Sequence, residues 1–162
     1  MAISNAQSCL AACCAAVYEI KEGKQEPVGG ASRIAGKMHE FDGENPLVLF
    51  SGDALNPSLL SQSTQGSHMI EVLNALGVAC SVVGNHDLDF GIENMVKQIA
   101  NSDFPWMCTN CWHKETGEPL AGAIEACVIQ VRCQLDCTAC GCCCFHNVLI
   151  LTDHDSDVCG ET

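Results

Sequence analysis

Basic residues are scarce in this chain. Seven Lys and Arg stand against 20 Asp and Glu in 162 residues, a formal net charge of -13. So acidic a surface argues against a nucleic-acid backbone or an anionic membrane as a broad partner, since both are held by counter-charge. Long apolar runs are also missing. The two longest, Cys9 to Tyr18 and Cys142 to Leu151, fall well short of the roughly 20 residues that span a bilayer. No Lys or Arg precedes Lys21, so the charged start of a secretory leader is absent and the expected location is the cytoplasm. Internal repeats are absent too. The length allows one domain, and a chain of this size buries roughly 70% of its unfolded surface, enough for a core.

Cysteine is the opposite case. There are 14, and seven of them lie between Cys127 and Cys144. Directly adjacent Cys142, Cys143 and Cys144 make regular bridging awkward, because each disulfide needs its own spacing and direction. The cluster is therefore a property of one segment rather than of the whole chain. Residues 1–16 are rich in Ala and Cys, and the composition changes abruptly again after about Glu125. The expected organisation is a divergent segment 1–16, a folded block 17–125 and a Cys-rich tail 126–162.

Within the block the pattern alternates. Ala31, Ile34, Ala35 and Met38 mark one helical face, with Gly43 just beyond it. Leu47 to Phe50 reads as a buried strand. Met69, Val72, Leu73 and Leu76 mark a second helix, with Ser67 as its N-cap and Gly77 as its stop. Val78 to Val83 is the next strand, and Ile92, Met95, Val96 and Ile99 mark a third helix. Trp106, Met107 and Cys108 form a short strand after Pro105, and Val148 to Leu151 is a further short one. Strands alternating with amphipathic helices predict an α/β fold with a mostly parallel sheet and helical crossovers. Ligands of such sheets gather beyond the carboxyl ends of the strands.

Two strands end in residues that suit metal and phosphate chemistry. Leu47-Val48-Leu49-Phe50-Ser51 runs into Gly52-Asp53, and Ser81-Val82-Val83 runs into Gly84-Asn85-His86-Asp87-Leu88-Asp89-Phe90-Gly91. Two cations close together must share an anionic ligand, a part open to Asp53. Taken alone, Asp53 suits a turn-forming role after Gly52 better than a ligand role. Asn85 offers an amide oxygen to a metal, or holds a left-handed turn. His86 is placed to give a proton to a leaving alkoxide or to stabilise phosphoryl charge, or is simply a structural histidine. Asp87 and Asp89 are both within reach of its ring, and Asp89 is also placed to cap the helix that follows.

Taken together, residues from about Val17 to Glu125 resemble the first half of a calcineurin-like metallophosphoesterase of the 5'-nucleotidase type. Gly84 to Gly91 is similar to that family's strongest signature, Gly52-Asp53 to its bridging-aspartate motif, and Gly29-Gly30-Ala31-Ser32-Arg33 to the glycine pair opening its first helix. The resemblance implies the first half of a four-layer fold and two divalent metal ions of the Zn, Mn or Mg class. It makes Asp53 the bridging ligand, Asn85 a ligand of the second metal, His86 the catalytic histidine and Asp89 its partner. The implied reaction is hydrolysis of a phosphate monoester or nucleotide, as in nucleotide catabolism.

The family's first motif is Asp-x-His, and Ala16 and Tyr18 stand at those places here. Its later Gly-His-x-His motif has no counterpart after Glu125. The expectation is thus a truncated or rearranged hydrolase of impaired activity. Two alternatives are a non-catalytic chain that self-associates through an open sheet edge, and a small zinc-binding protein. For the latter, Cys133, Cys137, Cys140 and His146, or Cys108 and Cys111 with His113, have loosely suitable spacing.

Overall fold

The computed structural model describes residues 18–21, 24–27, 29–132 and 145–150. Three parallel strands organise it: β3 (Leu49–Phe50), β4 (Cys80–Val82) and β5 (Trp106–Met107), in the order β3-β4-β5 with β4 central. Leu49 pairs with Cys80, and Ser81 with Trp106. Helix α1 (Ala31–His39) precedes the sheet. A short helix α2 (Ser61–Thr64) and then α3 (Ser67–Ala75) join β3 to β4, and α4 (Ile92–Ala100) joins β4 to β5. The predicted α/β fold with its parallel sheet is therefore present, with strands shorter than their apolar runs. Two antiparallel strand pairs lie outside this sheet: β1 (Tyr18–Lys21) with β2 (Lys24–Pro27), and β6 (Cys127–Arg132) with β7 (Phe145–Ile150). Strand β7 holds Val148 to Ile150 of the predicted Val148 to Leu151 strand and begins earlier, at Phe145, while Leu151 lies outside the described residues. Among the described residues no helix is long and apolar enough to cross a membrane.

Alternation along each strand divides the interior into two layers, because successive side chains point to opposite faces of a sheet. Phe50 and Trp106 join the larger cluster with Leu55, Met69, Ile70, Leu73 and Met95, the face covered by the helices. Their neighbours Leu49 and Met107 join Cys80, Val82, Cys127 and Ile129 in a smaller cluster. Each large apolar side chain fully buried in these layers contributes about 1.5–3 kcal/mol through removal from water. Cys127 and Ile129 lie beyond the compositional break at Glu125, so the packing carries past that point. The Cys80 thiol is pushed up to about 12 by burial, reinforced by the neighbouring Cys127 thiol, and both cysteines are free.

The second helix departs from expectation at its start. Gly66, not Ser67, is the N-cap, and no side chain caps the helix. Gly66 has φ 85°, and a Cβ there would lie 2.6 Å from the Leu55 Cβ. A left-handed turn pressed against a buried leucine leaves room for glycine alone. Helix α4 likewise starts from Gly91, with φ 84° and no side-chain cap, so Asp89 is not its N-cap. Cys108 and Cys111 are both buried. The Cys108 thiol contacts Asn110 Oδ1 and the Cys111 carbonyl oxygen. Ala16, Cys133, Cys137 and Cys140 lie outside the described residues.

Candidate functional site

The two loops singled out by sequence leave the carboxyl ends of adjacent strands β3 and β4 and meet there. Their contact begins with glycines. A Cβ on Gly52, which has φ 88°, would lie 2.9 Å from the Gly84 amide nitrogen. A Cβ on Gly84 would lie 2.3 Å from Asp53 Oδ1 and 2.5 Å from the Asp53 amide nitrogen. The backbones thus pass closer than side chains would permit, which is what a strand-Gly-Asp and a strand-Gly-Asn sequence make available.

Asp87 clips the loops together. Its carboxylate is fully buried, at 0% exposure. Oδ2 accepts hydrogen bonds from the Asp53 amide at 2.9 Å and the Gly84 amide at 2.8 Å, and Oδ1 accepts one from the Leu55 amide at 2.9 Å. Burial outweighs these three donors and raises the Asp87 carboxyl to about 6. Asp53, held at φ 57°, returns the grip: its Oδ1 accepts a hydrogen bond from the His86 amide at 2.9 Å. Asp has a short polar side chain that tolerates this left-handed conformation. The turn and the candidate ligand are therefore the same residue.

Residues Asn85–Leu88 form a 3-10 turn. That geometry brings positions three apart onto one side, and it settles which carboxylate meets the histidine. His86 Nδ1 lies 2.8 Å from Asp89 Oδ2, while Asp87 turns inward to the backbone. The pair is about one third exposed, at 35% and 36%. Hydrogen bonding to Asp89 raises the His86 imidazole above its ordinary range, against the opposing effect of desolvation. Asp89 is held below the ordinary carboxylate range, first by the Asn56 amide and then by His86. Asn56 Nδ2 donates to Asp89 Oδ2 at 2.5 Å. Sequence patterning did not single out Asn56, whose only signal was its place three residues after Asp53.

Asp53, His86, Asp87 and Asp89 are thus joined through one set of hydrogen bonds, and Asn85 sits exposed on the same turn. Asp53 and Asn85 offer oxygen donors of the type hard cations take. Among the described residues, however, no group of three or more His, Cys, Asp or Glu side chains is arranged to hold a metal ion. The described residues therefore fit part of a metal site and not a complete dinuclear one.

No family model matches the chain. Individual proteins do. The chain is 32% identical over 101 residues to the 5'-nucleotidase of Bos taurus, covering 60% of this chain and 17% of that protein. Among solved structures it resembles the NAD nucleotidase of Haemophilus influenzae, with a TM-score of 0.59 and 25% identity over 72% of this chain and 24% of the other. The calcineurin-like phosphoesterase YfkN of Bacillus subtilis shares the fold, with a TM-score of 0.59 at 20% identity, over 77% of this chain and 40% of that one. This chain thus spans less than a fifth of the length of the bovine relative it matches.

Proposed function

We propose, for a chain similar in sequence and fold to part of a 5'-nucleotidase-type metallophosphoesterase, that the β3 and β4 loops form the proton-handling side of a phosphoric monoester hydrolase. The observation that carries this is the continuous bonding of Asp53 to the His86 backbone and of the His86 ring to Asp89, at the carboxyl ends of neighbouring parallel strands. Each residue has a definable part. Asp89 engages Nδ1 and so leaves Nε2 as the ring nitrogen that exchanges a proton with substrate. A raised imidazole pKa keeps His86 cationic nearer neutrality, suited to meeting phosphoryl charge or protonating a leaving oxygen. Asp53 fixes the turn that carries the ring, and Asp87 holds both loops without reaching substrate.

The 5'-nucleotidase relatives support a nucleoside 5'-monophosphate or a similar phosphate monoester as the proposed substrate class. Asp53 and Asn85 would serve as oxygen ligands for divalent cations. Turnover is weak in this reading, since Ala16 and Tyr18 replace ligand types of the family's first motif.

Purified protein supplied with Mn or Zn should release phosphate slowly from nucleoside 5'-monophosphates, as measured by phosphate release over hours. Substituting His86→Ala should lower that rate by about 100-fold or more, the usual contribution of a positioned acid–base group. A rate unchanged by His86→Ala, or no release above the metal-only control, would overturn the proposal.

A further inference from the structure

Asn56 belongs to neither motif, yet its side chain ends on the carboxylate that holds the candidate catalytic ring. Asp89 Oδ2 meets two groups at once, His86 Nδ1 at 2.8 Å and Asn56 Nδ2 at 2.5 Å. The amide cannot be turned over, because its oxygen would then face a carboxylate oxygen with no proton between them. Its own oxygen is buried and finds no donor among the described residues. A buried acceptor left without a partner is uncommon. Here the amide's orientation is set by Asp89 rather than by its own needs.

Asp89 requires such help. It is about one third exposed and follows a single 3-10 turn. Exposed ion pairs are weakly held, because both side chains must give up their freedom. Asn56 differs in being anchored. The Asp53 and Leu55 amides just before it both donate to buried Asp87. The β3 loop therefore reaches His86 twice, at its backbone through Asp53 and at its ring through Asn56 and Asp89.

We propose that Asn56 is a positioning residue for His86: it fixes the Asp89 carboxylate and thereby the tautomer and orientation of the imidazole. This rests on the reading of His86 as the proton-handling group. A carboxylate locked beside Nδ1 selects the Nδ1–H form of the neutral ring, whereas a free imidazole favours Nε2–H.

The decisive experiment is long-range proton–nitrogen NMR of the histidine rings in nitrogen-15-labelled, chelator-treated protein at about pH 9, where imidazole is neutral. His86→Gln assigns the signal. The wild type should show His86 mainly as Nδ1–H. Asn56→Leu, which keeps the volume but has no donor, should reverse the major tautomer to Nε2–H. Asp89→Ala should do the same, and the double variant should show no further change. Asn56→Ala gives a second test with the same spectrum should the leucine disturb folding. A wild-type spectrum in the Asn56 variants, with Asp89→Ala shifted, would overturn the role of Asn56 and leave His86 and Asp89 as a pair. An unshifted Asp89→Ala would overturn the pair as well.

Discussion

Replacing Asp87 with alanine should lower the free energy of unfolding by about 3–5 kcal/mol, a large share of the roughly 5–15 kcal/mol that holds a domain together. The expectation comes from counting donors. Three backbone amides, of Asp53, Leu55 and Gly84, end on this one carboxylate. Alanine leaves all three without their acceptor, the Leu55 amide buried and the other two partly so, and an orphaned donor costs about 1–3 kcal/mol where water cannot reach it. Asn cannot substitute fully: its NH2 would face at least one amide that also donates. Asp87→Asn should therefore lose about 1–3 kcal/mol. Urea unfolding followed by circular dichroism would measure both, and a midpoint within error of wild type for Asp87→Ala would refute the clip.

The same carboxylate predicts a pH dependence of known sign. Its folded pKa, about 6, lies above its ordinary 3.8. Between those values the folded protein binds the proton more readily than the unfolded chain does. Stability from this group is thus greatest in acid and declines as pH rises from about 4 to about 6, by up to about 3 kcal/mol. Above about pH 6 the decline ends. The Asp87→Asn variant lacks the titrating group and should not show this component.

The second large effect concerns Gly84. Gly84→Ala should destabilise the protein by about 1–3 kcal/mol or more, as overpacking against an unyielding neighbour does. It should also reduce phosphate release by about 100-fold, the scale of loss expected when reacting groups move by an ångström. The added Cβ would sit 2.3 Å from Asp53 Oδ1 and 2.5 Å from the Asp53 amide nitrogen. Room for it comes only from moving Asp53, which breaks the hydrogen bond to the His86 amide. Backbone preference plays no part, since φ at Gly84 is -92° and suits any residue. Gly36 is the control. It is exposed on α1 and a Cβ there meets nothing within 4 Å. The same substitution there should stabilise the helix by about 0.5–1 kcal/mol. Thermal melts of both variants, with rates on a nucleoside monophosphate, would test the contrast. Equal effects at both positions would mean that the loops are not in tight contact.

What sequence could reveal here depended on how local each feature is. The alternation of apolar strands with helices of 3.6-residue period marked the parallel sheet, and Gly-Asp and Gly-Asn at two strand ends marked the loops that meet. Helix starts were harder. Ser67 looked like a cap by residue type, but the buried neighbour Leu55 requires glycine one residue earlier, and that neighbour is eleven positions away. The two carboxylates beside His86 could not be told apart by spacing, since both lie within three residues. A 3-10 turn separates them, turning Asp89 to the ring and Asp87 to the interior. Asn56 gave almost no signal, because its partner Asp89 is 33 positions along the chain. Cys127 was grouped with the cysteine tail by composition, while its packing partners Cys80 and Met107 come from strands β4 and β5 of the parallel sheet.

The convergence of three amides on Asp87 also has a kinetic consequence. Protons on the amides of Asp53, Leu55 and Gly84 can reach solvent only when that single carboxylate lets go. Their deuterium uptake should therefore proceed with one common opening free energy, although two of them come from a different strand connection than the third. The two loops would then loosen together as one cooperative unit, and a small molecule that quenched exchange at one of them would protect the other without touching it.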